Sequence, residues 1–340
     1  MAAPLKIIDF EAHYLDQELF EIMKGRQEPP FYRPDTRLLA ISSDLPKETA
    51  LPMDPSKLLE VGQGRIADMD AAGIDLQLLS STIPLEASFS PEEAAAHMPG
   101  LNTRLAETVA RHPSRYCGMA SLAVRDPEKS AAELKRCVKE LGFVGWHLHS
   151  HIDDPQAPYP DHEKYLPIWE MAAELDIFVY IHPASPSISA LQGYGYALYG
   201  SPFGFAIDAS ICLVRLLLSG LFERFPSLKV IQGHMGETMP FLVERLDHQI
   251  ATKDKGYKLP HLPGHYWRRN VWCSTSGCFS ADAFQMLLSQ TAPSRIVVGS
   301  DYPYEPASDC TEFLKSLPLS EADRALISNE NAFELRKNVD

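Results

Sequence analysis

The sequence contains few cysteines, and no two of them are closely spaced. Its 340 residues include six cysteines and no Cys-x-x-Cys pair. Most of the six lie in or beside apolar segments, which favours reduced thiols in a cytoplasmic protein over disulfides. Cys273 and Cys278 flank a polar turn and are the two candidates for a place near a functional site.

The sequence contains fewer basic residues than acidic residues. Lys and Arg together number 31 against 45 Asp and Glu, which gives a formal net charge of −14. A surface of this sign repels nucleic acid and anionic lipid. No basic patch interleaved with aromatic residues offsets that repulsion, so we exclude nucleic acid and membranes as main partners.

Long hydrophobic runs are also missing. No stretch of about 18 uninterrupted apolar residues occurs, so the sequence predicts no membrane span. The first residues, Met-Ala-Ala-Pro, lack the apolar segment of a signal peptide. We therefore expect a cytoplasmic location.

What the sequence does contain is a regular alternation of strand-like and helical patterns. Eight apolar runs alternate with helical segments, which predicts one closed (β/α)₈ TIM-type barrel rather than an open sheet. We expect a single domain over residues 1–340, with an extra helix at the C-terminus. The predicted strands are 5–10, 75–80, 116–122, 143–148, 177–181, 228–232, 271–274 and 295–299.

Two other segments carry local signals. Residues 25–57 are rich in Pro and charge, which predicts a long irregular loop over one end of the barrel, touching a second subunit. A helix is predicted from Pro91 to about Arg111. Ser90 is its N-cap, and Glu93 completes a capping box.

Polar residues recur at the ends of the predicted strands. Strand one ends in Glu11 and His13, strand five in His182, strand six in His234 and strand eight in Asp301. The carboxyl ends of barrel strands converge on one face. Carboxylates and imidazoles gathered there are joined most simply by one divalent cation, and mixed N/O ligation suits Zn²⁺, Mn²⁺ or Fe²⁺.

Each of these residues has a plain structural explanation when taken alone. His182 precedes Pro183 and is compatible with a hydrogen-bonded core histidine, and Asp301 is compatible with the start of a turn. His234 is followed by Glu237 at a helix start, where the pair is compatible with a capping turn. The coincidence of all of them at strand ends is what favours a metal site, with Glu237 orienting the ring of His234.

Weaker candidates surround this set. His147, His149 and His151 alternate at the end of strand four. The simpler explanation is that two of the three only line the loop, and a metal role is the alternative. Arg245 lies two helical turns past Glu237, either to bind an anionic substrate or to form an ion pair. Tyr302 follows Asp301 and is a candidate for the substrate pocket, as is His149.

Several stretches of the sequence resemble a known family. They are 136–143, 180–183, 221–237, 269–277 and 299–305, with Gly-His-x-Gly-Glu at 233–237 and Ser-Asp-x-Pro at 300–303 as the most specific. From about residue 120 on, the chain resembles the metal-dependent amidohydrolase superfamily. Its branch is the one that contains aminocarboxymuconate-semialdehyde decarboxylase and the hydroxybenzoate decarboxylases.

The resemblance implies roles for individual residues. It implies that Glu11, His13, His182 and Asp301 bind one divalent metal ion, Zn²⁺ or Mn²⁺, and that His234 is a catalytic base or acid held by Glu237. The first motif is Glu-x-His, as in decarboxylases of hydroxylated benzoates, where many relatives have His-x-His. The histidine-rich end of strand four departs from the salicylate-type pattern.

We therefore expect a non-oxidative decarboxylase of a small, ortho-hydroxylated aromatic carboxylate. Asp301 or His234 would deliver the proton to the ring. A metal-dependent hydrolase of an amide, lactone or ester is the first alternative, and a non-catalytic barrel that binds small anions is the second. The resemblance and the long loop also lead us to expect a homodimer or homotetramer.

Overall fold

Parallel strands form one barrel in the computed structural model of this protein. The structure describes residues 6–41, 51–52, 54–184, 186 and 188–335. Within that part the strands are β1 (Ile8–Tyr14), β2 (Phe31–Arg33), β3 (Leu38–Ala40), β4 (Leu51–Pro52), β5 (Leu76–Ser81), β6 (Tyr116–Ala120), β7 (Gly145–His149), β8 (Phe178–His182), β9 (Lys229–Gln232), β10 (Val271–Ser274) and β11 (Ile296–Val297).

The barrel sheet contains eight of these described strands in the order β1-β5-β6-β7-β8-β9-β10-β11, all parallel. Backbone hydrogen bonds close it between the last strand and the first. The N–H of Phe10 donates to the carbonyl of Val298 at 2.8 Å, and that of His13 donates to Tyr302 at 2.7 Å. The predicted (β/α)₈ barrel is confirmed.

Helices surround the barrel and finish the chain. They are α1 (Gln17–Gly25), α2 (Ser56–Leu59), α3 (Gln63–Ala72), α4 (Leu85–Ser88), α5 (Pro91–Arg111), α6 (Pro127–Lys139), α7 (Leu166–Glu174), α8 (Tyr196–Tyr199), α9 (Gly204–Leu218), α10 (Leu221–Arg224), α11 (Met239–Lys253), α12 (Pro263–Asn270), α13 (Ala281–Gln290), α14 (Ala307–Ser316), α15 (Glu321–Ala325) and α16 (Asn331–Leu335). A π-helical turn, Leu326–Glu330, joins the last two.

A local sequence motif determines where helix α5 begins. The hydroxyl of Ser90 accepts from the backbone N–H of Glu93, and the Glu93 carboxylate accepts from the N–H of Ser90, both at 3.2 Å. These bonds satisfy two donors that a helix start otherwise leaves free. The predicted capping box is therefore confirmed, and the apolar positions that follow at helical spacing are buried.

The interior of the barrel is packed with side chains. Phe10 and Phe178 meet there with ring centroids 5.7 Å apart. A Cβ at Gly145 would lie 2.5 Å from the ring of Phe178, so the glycine provides the space that this ring fills. These side chains fill the interior of the barrel below the polar residues at the carboxyl ends of its strands.

The structure corrects the interpretation of residues 25–57. Strands β2, β3 and β4 pair there as a small antiparallel sheet, with Phe31 opposite Ala40. The prediction of an irregular loop is therefore wrong for this part, because strand pairing satisfies its backbone groups. Residues 42–50 and 53 fall outside the described residues.

One described stretch, Tyr196–Leu218, is long and apolar enough to cross a membrane by length and composition alone. It consists of α8 and α9, with a turn between them at 200–203. In the structure, α9 buries Leu213, Leu216 and Leu217 together with the carboxylate of Asp208. This is the burial expected of a helix in the core of the fold.

Candidate metal centre

Four side chains converge at the carboxyl end of the barrel. Glu11 and His13 come from β1, His182 ends β8, and Asp301 follows β11. Each offers a donor atom, and these donor atoms all lie within 4.8 Å of one another. His13 Nε2 is 3.1 Å from Asp301 Oδ1, and Glu11 Oε1 is 3.7 Å from His13 Nε2 and 3.6 Å from His182 Nε2.

The strand that carries the first two is longer than predicted. β1 continues to Tyr14, so Glu11 and His13 lie within the strand and not beyond its end. Successive side chains of a strand alternate between faces, so residues two apart share one. This alternation places the side chains of Glu11 and His13 on the same face of β1, which is the face toward the barrel interior.

The donor set fits a cation. Glu11 Oε1, His13 Nε2 and Asp301 Oδ1 are buried and have no hydrogen-bond partner among the described residues. Burial favours the neutral acid, yet the charge of His234 and the nearby imidazole of His13 lower the pKa of Glu11 to about 2. Burial is likewise outweighed at Asp301, where the nearby imidazoles of His13 and His234 lower the pKa to about 2. Two ionised carboxylates and two imidazoles are a mixed O/N set for one divalent ion.

The Nδ1 atoms of the two candidate ligand histidines, His13 and His182, also have polar contacts. Nδ1 of His182 donates to the carbonyl of Pro183 at 2.8 Å, and Nδ1 of His13 lies 3.0 Å from the hydroxyl of Ser80. Such contacts fix the ring orientation and leave the Nε2 lone pair for a metal.

The second carboxylate oxygen of Glu11, Oε2, accepts hydrogen bonds from neighbouring hydroxyl groups. Glu11 Oε2 accepts from the hydroxyl of Tyr180 and from Ser274 Oγ, the latter at 3.3 Å. Burial and the charge of Glu11 raise the pKa of Tyr180 well above its ordinary value, so the hydroxyl stays a donor. We did not predict this role for Tyr180, although its position two residues before His182 on the same strand is a signal for it.

His234 stands beside the ligand set. Its Nδ1 lies 2.7 Å from Glu237 Oε1, and its Nε2 lies 3.8 Å from both Glu11 Oε1 and Asp301 Oδ2. Burial alone would lower the pKa of His234, but the charges of Glu237 and Glu11 raise it well above the ordinary value. The structure therefore brings together His234, Glu237 and Asp301, the three residues predicted to be catalytic.

The backbone at this corner is unusual. His234, Met235 and Glu237 have φ of 51°, 59° and 54°, and Asp301 has 62°. Non-glycine residues in this region each cost about 1–3 kcal/mol and cluster at functional sites. The turn also corrects a prediction, because Glu237 precedes the helix: α11 begins at Met239.

Gly277 is a further site residue that we did not predict. Its φ is 56°, and a Cβ there would lie 2.9 Å from His234 Cδ2 and 3.1 Å from Asp301 Oδ2. The close approach of its backbone to both side chains requires glycine.

Tyr302 does not line the site as predicted. Its hydroxyl donates to Asp68 Oδ2 at 2.6 Å, and the guanidinium of Arg65 lies 4.7 Å from its ring centroid, between barrel and α3. The Asp301 carboxylate faces His13 in the ligand set, whereas the Tyr302 ring packs on the α3 side of the barrel wall. Tyr304, which we did not predict, lies with its ring centroid 5.6 Å from that of His13, and its hydroxyl bonds Thr82.

Arg245 does not reach the centre within one chain either. It lies on α11, and its side chain is exposed. It follows the buried Val243 by two residues, a rotation of about 200° around a helix. Arg245 therefore faces away from the barrel.

The three histidines in β7 and just after it divide into two groups. Nδ1 of His149 lies 3.1 Å from Glu86 Oε1, and the ring centroid of His149 is 5.4 Å from that of His182. His147 is buried one layer deeper, 5.1 Å from His182 by ring centroids. His151 instead packs on the ring of Tyr159. The expectation that two of the three only line the loop is thus replaced by two that face the centre.

Known proteins are similar to this chain over most of its length. Residues 8–335 match the profile of the Amidohydrolase family. The chain belongs to that family. A γ-resorcylate decarboxylase of Polaromonas is 36% identical over 291 residues, covering 83% of this chain and 89% of the relative.

Solved structures of family members share the whole fold. A dihydroxybenzoic acid decarboxylase of Polaromonas, with bound manganese and the inhibitor 2-nitroresorcinol, has a TM-score of 0.85 at 31% identity, covering 98% of this chain and 97% of that one. A manganese-bound 5-carboxyvanillate decarboxylase of Novosphingobium aromaticivorans has a TM-score of 0.86 at 29% identity, covering 98% and 97%. The resemblance inferred from the sequence motifs is confirmed.

Proposed function

We propose that this family member is a metal-dependent decarboxylase that releases CO₂ from a small, ortho-hydroxylated aromatic carboxylic acid. The observation that carries the proposal is the cluster of Glu11, His13, His182 and Asp301 with His234 beside it. It lies in a chain that is 36% identical to a γ-resorcylate decarboxylase.

Loss of CO₂ from an aromatic ring requires a proton at the carbon that carries the carboxylate. The new C–H bond forms with that proton, the C–C bond breaks, and its electron pair restores the aromatic ring. A bound divalent cation supplies Lewis-acid stabilisation and a template for the substrate oxygens. The protein must then supply a proton donor on the face of the ring.

Two side chains are candidates for that donor, and their surroundings differ. The pKa of Asp301 is about 2, and a bound cation lowers the pKa of a ligand carboxylate further. The pKa of His234 is raised well above its ordinary value, with Glu237 stabilising the imidazolium. We propose that His234 holds the proton at Nε2 and that Asp301 Oδ2, 3.8 Å away, orients it toward the ring.

The test is CO₂ release from a panel of ortho-hydroxylated benzoates and vanillate-type acids, with enzyme reconstituted separately with Mn²⁺ and Zn²⁺. We expect release that disappears in His182→Ala, because the variant lacks a metal ligand. An enzyme that binds metal and releases no CO₂ across the panel would overturn the proposal in favour of the metal-dependent hydrolase.

We also propose that the chain forms a homodimer or homotetramer, in which Arg245 contacts a substrate across the interface. Phe241 is 74% exposed and lies one helical turn before Arg245 on the outer face of α11. An exposed aromatic ring beside an arginine is typical of interface residues. Light scattering that gives a monomer, or full substrate affinity in Arg245→Ala, would contradict this.

The metal and the location complete the proposal. We propose Mn²⁺ or Zn²⁺ as the metal, to be identified by elemental analysis of protein purified without added metal. We propose a cytoplasmic location, supported by the absence of disulfide bonds among the cysteines of the described residues. Cell fractionation tests it.

A further inference from the structure

His147 is buried without a partner. It is 2% exposed, and neither Nδ1 nor Nε2 has a hydrogen-bond partner in the part of the chain that the structure describes. Burying polar nitrogen atoms is unfavourable unless something binds them. His147 points into the barrel, because its register partner is the inward-facing Tyr180 of β8.

The position of His147 indicates what that partner is. It offers a donor atom that lies within 4.8 Å of donor atoms from His13 and His182. Both of those residues use Nδ1 for other contacts, so each directs Nε2 toward the centre. The triad of His147, His13 and His182 therefore shares two residues, His13 and His182, with the four-residue set that contains Glu11 and Asp301.

We propose that His147 is a fifth protein ligand of the metal centre. Three imidazoles and two carboxylates would then bind the cation. Ligands on opposite sides of a divalent ion at about 2.1 Å are about 4.2 Å apart. The donor atom of His147 already lies within 4.8 Å of donor atoms of two ligand residues, and an inward movement of the ring would bring it to that distance.

The other two histidines of the segment are also buried, each with one ring nitrogen unpartnered among the described residues, but neither belongs to a set of close donor atoms there. His149 is held at Nδ1 by Glu86 and belongs to no set of three close donor atoms among the described residues. His151 lies with its ring 5.8 Å from that of Tyr159. His151 therefore provides a matched control: a buried histidine of the same segment that is outside the donor set.

A third imidazole changes which metals the site favours. Imidazole suits Zn²⁺ and other later first-row ions, whereas carboxylate oxygen suits Mn²⁺. The nitrogen of His147 should therefore stabilise bound Zn²⁺ and Co²⁺ more than bound Mn²⁺. This inference goes beyond the proposed function, since it concerns the donor set whatever reaction takes place there.

The test is metal binding to the full-length protein after chelator treatment, with no substrate present. Zn²⁺, Co²⁺ and Mn²⁺ are titrated in competition with a chromophoric chelator, and the visible absorption of the Co²⁺ protein is recorded. We expect His147→Leu to weaken Zn²⁺ and Co²⁺ binding at least tenfold, to weaken Mn²⁺ binding less, and to shift the Co²⁺ absorption. His151→Leu should change none of these.

Unchanged Zn²⁺ affinity and an unchanged Co²⁺ spectrum in His147→Leu would overturn the proposal. His147→Gln serves as a second variant, because it keeps a polar group while removing the imidazole, and the same losses are expected. Thermal unfolding of the metal-free proteins checks that both variants fold. Failure of the CO₂-release panel would not affect this result, because metal affinity is measured without substrate.

Discussion

Replacing Glu237 with Gln tests whether the charge at Nδ1 sets the proton affinity of His234. The carboxylate lies 2.7 Å from that nitrogen, and only 6% of the Glu237 side chain is exposed. The glutamine oxygen can still accept the same hydrogen bond, so the ring orientation is kept while the charge is lost.

The expected change in the pKa of His234 follows from the strength of the hydrogen bond at its Nδ1. A hydrogen bond to a charged group contributes about 1.5–3 kcal/mol, against about 0.5–1.5 kcal/mol for a neutral one. The midpoints of these ranges differ by about 1.3 kcal/mol, which corresponds to a pKa of His234 that is lower by about one. Because the imidazolium is present below its pKa, activity that needs it is lost as the pH rises through that pKa.

The assay is the rate of CO₂ release as a function of pH with metal-saturated enzyme. In Glu237→Gln we expect the alkaline fall in rate to begin about one pH unit lower than in the wild type. The control is Glu244→Gln, which removes an exposed carboxylate from the neighbouring helix α11 and should leave the profile unchanged. An alkaline limb that stays in place in Glu237→Gln would refute the assignment of His234 as proton source.

Three further substitutions address the same centre. Tyr180→Phe removes a hydrogen-bond donor to the metal-binding glutamate, so metal affinity should fall about 10- to 100-fold in a chelator competition, and an unchanged affinity would contradict its role. Gly277→Ala should lower kcat about 100-fold by displacing His234, while Gly73→Ala, also at positive φ but with no atom within 4 Å, should leave kcat intact. Asp301→Asn should abolish turnover but leave substrate binding measurable by calorimetry, and full activity would disprove a role in catalysis.

The local sequence determined much of the fold. The capping box at Ser90 and Glu93 depends on residues three apart, and the apolar run Val271–Ser274 is a strand with the predicted bounds. Barrel geometry then brings the carboxyl ends of all strands to one face. These rules are local or topological, and they were sufficient to place Glu11, His13, His182, His234 and Asp301 on one face. The resemblance to the family then distinguished the four metal ligands from His234.

The direction of individual side chains was decided only by the tertiary structure. Tyr302 and Arg245 lie next to site residues along the chain, yet one packs against α3 and the other faces away from the barrel. The positive φ values at His234, Glu237 and Asp301 persist because the surrounding fold imposes them, and no sequence periodicity indicates such values.

His147 shows both what the sequence predicted and what depended on the tertiary structure. Its alternation with His149 was visible in the sequence, and it predicted only that the two rings share a face. That His147 lies beside His13 and His182, with both nitrogens unpartnered among the described residues, depends on how β1, β7 and β8 meet in space. The sequence determined the donor atoms, and the packing of the barrel decided which of them meet, because distances between strands far apart in the chain are set by closure.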